Sequence, residues 1–286
     1  MAKAGTIGGM AVPLPEGLYC ELIAVNRMVD PETLATLHDV PVDDLAALGA
    51  RNCYSPRSPR ELRTAMADRE KDSAIRTTVA SKHWTVAGHL SFTFAYSCSI
   101  AALKQITRRR TGVVFSVKSG RYVKGRHFQS FVVPPSIQAH PEALEAYVRH
   151  MEEGFRLAER MEKEWGIPSE DARYLTGEGK LTHVVMTVNG EALIDWATKR
   201  ECYGAQWEVR ALMVEWLRAA RKVAPKVFYR VGAPCVMTGI CTEMRSRYEV
   251  CPRRHVFPHQ DDLARSWQEQ RRARRVNPTA VLEAEN

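Results

Sequence analysis

The sequence has no long apolar run. The most apolar stretch, from His89 to Leu103, is interrupted by serine and threonine and is too short to span a bilayer. Residues 1–10 contain one lysine and several glycines but no continuous apolar segment, so a signal peptide is not expected. Together these absences predict a cytoplasmic protein.

Signs of a covalent or metal-based framework are also scarce. The seven cysteines are irregularly spaced and include no Cys-x-x-Cys pair, which argues against a disulfide framework. Cys241, Cys251 and His255 lack the paired spacing of zinc ligands, so unbonded thiols and no metal are expected. No Gly-x-Gly-x-x-Gly follows a predicted strand, which argues against a Rossmann-type cradle for a dinucleotide.

Composition and charge are those of an ordinary globular protein with a basic bias. Of the 286 residues, 45% are apolar and 26% are charged, and the net charge of +8 favours anionic partners. We expect one main domain over residues 18–248, between an N-terminal extension (1–17) and a basic C-terminal extension (249–286). Arginines at 271, 272, 274 and 275 supply part of the excess charge, and a solvated, partly disordered end would explain them equally well.

The order of predicted elements favours an α+β fold. Strands are predicted at 18–25, in the segment that begins at Leu90, and at 128–133. The second of these strands leads into a helix that ends near Ile106. Helices are predicted at about 41–48, 58–79, 141–165, 191–201 and 206–223. Because the elements do not alternate as regular βαβ units, we expect a central, mostly antiparallel twisted sheet flanked by helices.

Arginines are concentrated in one short segment. Residues 105–110 read QITRRR, and Ser119, Gly120 and Arg121 follow closely. Consecutive arginines at the end of an otherwise apolar helix are costly unless they meet anions or solvent. Guanidinium groups bind phosphate with two hydrogen bonds, and a Ser-Gly turn can offer backbone N–H groups to the same phosphate. A solvent-exposed basic helix end that complements the helix dipole would explain the same residues.

These motifs, in this order, resemble the flavin-dependent thymidylate synthases. The resemblance rests on residues 83–85 (HWT), 89–94 (HLSFTF), 105–110 (QITRRR), 119–122 (SGRY), 187–189 (TVN) and 205–210 (AQWEVR), together with Glu170, Arg173 and Arg200. It extends from about residue 20 to about residue 230. Within the family, the sequence resembles the branch that methylates UMP for nucleoside antibiotics of the polyoxin type.

The resemblance implies the cofactors and the residue roles. FAD would lie between the subunits of a homotetramer, NADPH would reduce it, and methylene-tetrahydrofolate would supply the carbon. Arg200 would be catalytic, because a fixed positive charge at the O4–N3 side of uracil stabilises negative charge there. The implied nucleotide contacts are Gln105, Arg108, Ser119, Gly120, Arg121 and Arg173. The implied flavin contacts are Thr85, Arg108, Arg109, Arg110, Asn189, Gly190, Glu191 and Asp195, and His83 would lie on the folate side.

Purely structural roles compete with several of these assignments. The alternatives are a salt bridge from Arg200 to Glu201 or Glu208, an intrahelical Glu170–Arg173 pair, a solvated ladder of Glu191, Asp195 and Lys199, and a structural hydrogen bond from His83.

The sequence also departs from the family pattern. Arg109 stands where the family has His, Gly88 where it has Glu, Glu191 where it has Arg, and Asp195 where it has Asn or His. The expected loop from Thr111 to Arg121 is one residue longer, and Val117-Lys118 replace an acidic position. Since a longer loop leaves room for a 2′-hydroxyl, we expect UMP to be accepted at least as well as dUMP. An insertion that bulges into solvent would instead leave a dUMP-specific thymidylate synthase.

Two other function classes deserve comparison. Cys235, beside Pro234, could act as the thiolate nucleophile of the other thymidylate synthase chemistry, but no nucleophile motif surrounds it. The positive charge also suits a nucleic-acid-binding protein, although no helix-turn-helix, zinc-finger or RNP-like pattern is present.

Overall fold

The structure is a computed structural model that describes residues 14, 17–121 and 130–276, with side chains as far as residue 269. Its strands are β1 (Cys20–Val25), β2 (Ser91–Ser99), β3 (Val113–Val117) and β4 (Leu181–Asn189). Its helices are α1 (Asp43–Asn52), α2 (Pro59–Ala65), α3 (Asp68–Ser81), α4 (Ile100–Ile106), α5 (Pro135–Gln138), α6 (Pro141–Lys163), α7 (Ser169–Ala172), α8 (Gly190–Arg200), α9 (Trp207–Val223), α10 (Pro225–Phe228), α11 (Pro234–Thr238), α12 (Arg245–Glu249) and α13 (Gln260–Val276). Short 3₁₀ helices span Trp84–His89, Arg173–Leu175 and Pro252–His255.

The strands form one antiparallel sheet in the order β1-β2-β4-β3. Side chains alternate between its two faces, as the pleat requires. Phe94, Met186 and Phe115 lie side by side on the inner face. On the outer face, Val114 and Thr187 are neighbours, and so are Ser116 and Val185. Helices pack against the inner face, so the α+β prediction is confirmed.

The core lies between the inner face of the sheet and helices α8 and α9. Trp216 of α9 is fully buried, and its ring centroid lies 5.2 Å from those of Tyr96 and Trp196. Phe92 of β2 meets Phe228 of α10 edge-on at 5.3 Å. This packing fixes α8 against the sheet and therefore fixes both of its ends.

Three local predictions differ from the structure. Residues 58–79 form two helices rather than one, because the chain is extended at Met66 and Glu70 accepts a hydrogen bond from the Ala67 N–H at 3.1 Å. The predicted strand 128–133 begins outside the described residues. Its described part contains an isolated bridge from Phe131 to Lys180 but no strand, since two prolines follow at once.

The expected loop from Thr111 to Arg121 is wrong in its middle. Residues 113–117 form the edge strand β3, with Val113 and Phe115 packed against the core and Val114 and Ser116 exposed. Only the turns on either side of β3 are loops. Within the described ranges, no helix has both the length and the apolarity needed to cross a membrane.

Candidate active site

The N-terminal end of α8 brings several of the predicted flavin residues together. Asn189 caps the helix, and its side-chain oxygen accepts the Ala192 N–H at 2.8 Å. At Gly190, a Cβ atom would lie 2.4 Å from the carbonyl oxygen of Ala87, so the 3₁₀ helix that carries exposed Thr85 rests directly on α8. Thr85, Asn189 and Gly190 therefore meet at one corner, which we call the α8 corner.

The arginine-rich turn joins the same end of the molecule. Arg109 forms an ion pair with Asp195 of α8, and its Nε donates to the carbonyl oxygen of Thr111 at 3.1 Å. Gly112, in the left-handed region at φ 71°, accepts the Asn189 N–H at 2.9 Å. The turn is thus attached to α8 by an ion pair and by backbone contacts.

The flanking arginines differ from Arg109. The side chains of Arg108 and Arg110 are exposed, and neither forms an ion pair in the part of the chain that the structure describes. Arg109 is half-buried and already has a carboxylate partner. Guanidinium groups without an acidic partner are suited to a phosphate or diphosphate.

Two of the departures from the family pattern are neighbours in space. A Cβ atom on Gly88 would lie 3.4 Å from the Oε2 atom of Glu191. The Glu191 carboxylate therefore occupies the space beside Gly88. Lys199 is only loosely paired with Asp195, at 4.0 Å between charged atoms, so the ladder that would explain the acidic residues of α8 is weak.

A second group of predicted residues gathers at the other end of β3. Arg121 Nε forms an ion pair with Glu170 Oε2 at 2.7 Å, and Arg173 Nε donates to the backbone oxygen of Glu170 at 3.1 Å. Ser119 Oγ accepts the Arg121 N–H at 3.2 Å, and a Cβ atom on Gly120 would lie 3.9 Å from Arg173. We call this group the Ser119 turn. The Glu170 carboxylate pairs with Arg121 and joins the turn to α7, so the alternative of an intrahelical Glu170–Arg173 ion pair is wrong.

Positive charge is crowded beside the Ser119 turn. Burial lowers the pKa of Lys180, and the nearby Arg173 charge lowers it further. Burial, followed by the charge of Lys118, also lowers the pKa of His183. A bound anion would relieve this crowding, so the region suits a phosphate.

The two groups are well separated within one chain. The five residues of β3 put the arginine turn and the Ser119 turn about 16 Å apart. Arg200, at the last turn of the 11-residue helix α8, lies about 16 Å from the α8 corner. Hence the arginine turn lies apart from the Ser119 turn, and Arg200 lies apart from the α8 corner.

Arg200 has neither of the partners that the structural alternative required. Glu201 pairs with Arg253, and Glu208 accepts hydrogen bonds from the Ser99 N–H and hydroxyl, both at 2.6 Å. The salt-bridge alternative for Arg200 is therefore wrong. Its Nε is buried and has no hydrogen-bond partner in the described structure. A buried donor of this kind requires an acceptor, which a ligand can supply.

His83 and Gln105, the two remaining predicted site residues, are exposed or half-buried. His83 is exposed, and its ring forms no hydrogen bond within the described structure, which does not support the structural role. Gln105 is half-buried near the end of α4, three residues before Arg108. Tyr122, the last residue of the SGRY motif, lies outside the described residues.

Cys235 is poorly suited to be a nucleophile. Its side chain is 8% exposed, and burial raises the pKa of its thiol. Since the thiolate is the reactive form, a raised pKa lowers its reactivity. In the described structure, no group of His, Cys, Asp and Glu residues could hold a metal ion.

The sequence reading missed one residue beside the site. Arg253, in the expected C-terminal extension, is buried and forms an ion pair with Glu201 through two of its nitrogens. Its position in the expected basic C-terminal extension (249–286) gave no indication of burial. No local sequence signal distinguishes it from its exposed neighbour Arg254.

Comparison with known proteins shows the family. Residues 37–226 match the family described as thymidylate synthase complementing protein. The chain is 35% identical over 214 residues to a flavin-dependent thymidylate synthase of Geobacter sulfurreducens, a match that covers 73% of this chain and 90% of the relative. It is 34% identical to the one from Nitratidesulfovibrio vulgaris, covering 68% of this chain and 83% of the relative. For the Clostridium tetani protein of the same name, the identity is 30%, with 70% and 86% covered. The extent of these matches and the arrangement of the motif residues show that the chain belongs to the thymidylate synthase complementing protein family.

Proposed function

We propose that this protein is an FAD-dependent enzyme that methylates C5 of a uracil nucleotide, both UMP and dUMP. Methylene-tetrahydrofolate is the carbon donor and NADPH is the reductant. The observation that carries the proposal is the buried Nε of Arg200, which has no partner in the described structure, whereas the carboxylate of the next residue, Glu201, is paired with Arg253. The relatives, which are named flavin-dependent thymidylate synthases, support the same chemistry.

Each group of residues would have a separate task in this reaction. Ser119, Gly120 and Arg173 would bind the nucleotide phosphate. Arg200 would place its permanent charge at the O4–N3 side of uracil, where negative charge develops when C5 becomes nucleophilic. When bound, the flavin supplies the hydride that completes reduction of the one-carbon unit to a methyl group. No thiolate is required for this route, in agreement with the raised pKa of Cys235.

The arginine turn and the α8 corner would hold the FAD. Arg108 and Arg110 are cations without an acidic partner in the described chain, and a diphosphate needs such cations. The N-terminus of α8 adds the positive end of the helix dipole. Arg109 and Asp195, which contact each other, would attach the turn to α8 while the flanking arginines face the cofactor.

The separation of the residue groups favours a site made by several subunits. The Ser119 turn of one chain and the α8 corner of another could then face the same nucleotide and flavin. We therefore propose a homotetramer, in which the FAD lies between chains, and we expect it in the cytoplasm.

Acceptance of UMP is proposed from the turns that flank β3. An extra residue inside a strand would move every following side chain to the opposite face, which the packing of Val113 and Phe115 opposes. The extra residue is therefore accommodated in a flanking turn, and both turns carry proposed ligand residues. Lys118, which directly follows β3, also stands at an acidic position of the family and would change which groups face the sugar. A dUMP-specific thymidylate synthase is the second candidate.

Cofactor analysis and parallel turnover assays test the proposal. Folded protein should release, on heating, close to one FAD per chain. With NADPH and methylene-tetrahydrofolate, UMP should be methylated at least as fast as dUMP at equal concentration. The products should be identified by mass, because methyl transfer adds one carbon to the base whatever the sugar.

The outcomes separate the parts of the proposal. Folded protein that neither contains nor takes up FAD would contradict the whole assignment. Product from dUMP alone would overturn the ribonucleotide proposal and support the second candidate. Turnover without NADPH would contradict only the proposal that NADPH is the reductant.

A further inference from the structure

Arg253 and Glu201 form the most deeply buried ion pair in the described structure. Their side chains are 9% and 8% exposed, and both terminal nitrogens of Arg253 donate to the two carboxylate oxygens of Glu201. The Ala233 N–H donates to the same carboxylate at 2.9 Å. A pair that is removed from water holds its geometry better when further hydrogen bonds satisfy it, and the Ala233 N–H supplies one to Glu201.

Glu201 directly follows Arg200 and ends α8. It is the C-cap residue of the helix, and its N–H donates to the Ala197 carbonyl oxygen at 3.0 Å. Holding the Glu201 carboxylate from outside the helix therefore fixes the last turn of α8. The backbone of Arg200 lies in that turn.

Arg200 has no comparable anchor of its own. Its Nε is buried without a partner, and no ion pair to a carboxylate holds its guanidinium in the described structure. In the absence of ligand, the direction of the side chain thus depends on the position of its backbone. The position of its backbone depends in turn on Glu201.

Aromatic contacts extend the anchor to the start of α9. The Tyr203 ring lies beside two guanidinium groups, with its centroid 5.2 Å from Arg253 and 3.6 Å from Arg210. Arg210 is only 4% exposed, so its stacking on Tyr203 is largely shielded from water. The turn between α8 and α9 is therefore held from both sides.

We propose that Arg253 is a positioning residue, which sets the direction of Arg200 by fixing the end of α8 through Glu201. The proposal rests on the proposed function of Arg200. Arg253 lies outside residues 37–226, the part that matches the family. A residue beyond the matched range thus fixes the position of the catalytic arginine through its contact with Glu201.

Paired variants test the role of Arg253. Arg253→Met alone leaves the buried Glu201 carboxylate without its partner and is expected to lower the melting temperature. The double variant Glu201→Gln/Arg253→Met removes both charges and keeps an acceptor for the Ala233 N–H, so it is expected to melt above Arg253→Met. Arg245→Met is the matched control, because it breaks another two-bond arginine–carboxylate contact, to Asp262 at 2.7 Å, in the same segment but on its exposed surface.

Uracil nucleotide binding by calorimetry and kcat are then measured for each protein. For Glu201→Gln/Arg253→Met we expect roughly tenfold weaker UMP binding and a roughly tenfold lower kcat. A misdirected Arg200 side chain should lose part of the nucleotide contact that Arg200→Ala would abolish. Arg245→Met should match the wild type. In an Arg200→Ala background, the Glu201 and Arg253 substitutions should have no further effect on binding, because residues that act through one another are not additive.

Three results would overturn the positioning role. They are wild-type binding and kcat in the folded double variant, equal losses in Arg245→Met, and full additivity with Arg200→Ala. Wild-type protein that binds neither UMP nor dUMP would instead contradict the proposed function, which keeps the two failures distinct.

Discussion

Arg200 and Cys235 are the side chains on which the competing mechanisms depend. Arg200 has a buried nitrogen without a partner, whereas Cys235 is a buried thiol whose pKa is raised by burial. The first property suits a group that awaits a ligand. The second suits a structural residue in a small apolar cluster with Ala233 and Cys241.

Substitution of these two residues distinguishes the mechanisms. Arg200→Ala should lower kcat about 100- to 1000-fold, the usual cost of removing one charge-stabilising donor. Cys235→Ala should keep most of the activity, because no thiolate takes part. Turnover with UMP and dUMP measures both variants, and circular dichroism checks that each is folded. The opposite ranking would support the thiolate mechanism.

The roles of individual residues were partly predictable from the sequence. The Ser119 turn and Arg173 were assigned to one ligand, and the structure places them side by side. The pairing of Arg109 with Asp195 was not predicted, since the contact joins residues 86 positions apart. The Arg253–Glu201 pair was not predicted either, because no local sequence pattern indicates a distant partner.

Among the elements, the connection between α4 and β3 determines where the arginines lie. Gly112 is central to it, because its φ of 71° is left-handed and its backbone rests on the N-terminus of α8. A Cβ atom there would lie 2.7 Å from the Ala192 Cβ and 2.9 Å from the Asn189 side chain. Any larger residue must push the turn away from α8.

Gly112→Ala should therefore weaken both the fold and FAD binding. Gly239→Ala is the matched control, because Gly239 has a similar φ of 78° but nothing within 4 Å of the added Cβ. The control should lose about 1–2 kcal/mol of unfolding free energy from backbone strain alone. Gly112→Ala should lose more and should retain less FAD after gel filtration. Equal losses in unfolding free energy and in FAD would show that the close approach has no role.

Element boundaries followed from sequence where the physical signal was local. The predicted helix start at residue 58 and the predicted strand from Leu90 are both confirmed, since Ser58 caps α2 with a capping box and β2 alternates between buried and less buried residues over its first half. The break between α2 and α3 was missed, because it depends on contacts of Glu70 with Ala67 and with Arg57. β3 was missed because it is short and follows directly on the arginines.

For the whole molecule, the outer face of the sheet is the most informative surface. Helices cover the inner face, but Val114 is 68% exposed and Val185 is 43% exposed on the outer face. Thr187, which shares a hydrogen bond of 2.9 Å with Thr93, is the cross-strand neighbour of Val114 and lies two residues from Val185 on the same strand. A sheet with small apolar and hydroxyl side chains on its open face is suited to contact with another protein surface, and we expect a second copy of this chain there.

Light scattering and one substitution test this expectation. The wild type should have a mass near four times the 32.3 kDa of one chain. Val185→Lys should lower this mass and the FAD content together, because the charge would be buried between subunits. Val250→Lys, at an exposed position outside the sheet, is the control and should change neither. A monomeric wild type, or a Val185→Lys protein of unchanged mass, would contradict the expectation.

The separation of about 16 Å between the arginine turn and the Ser119 turn has a further consequence. In an enzyme assembled from such halves, no single chain holds a complete set of ligands for the nucleotide and the cofactor. Catalytic competence is then a property of the association equilibrium and follows mass action, so that dilution alone switches the enzyme off while each polypeptide remains folded.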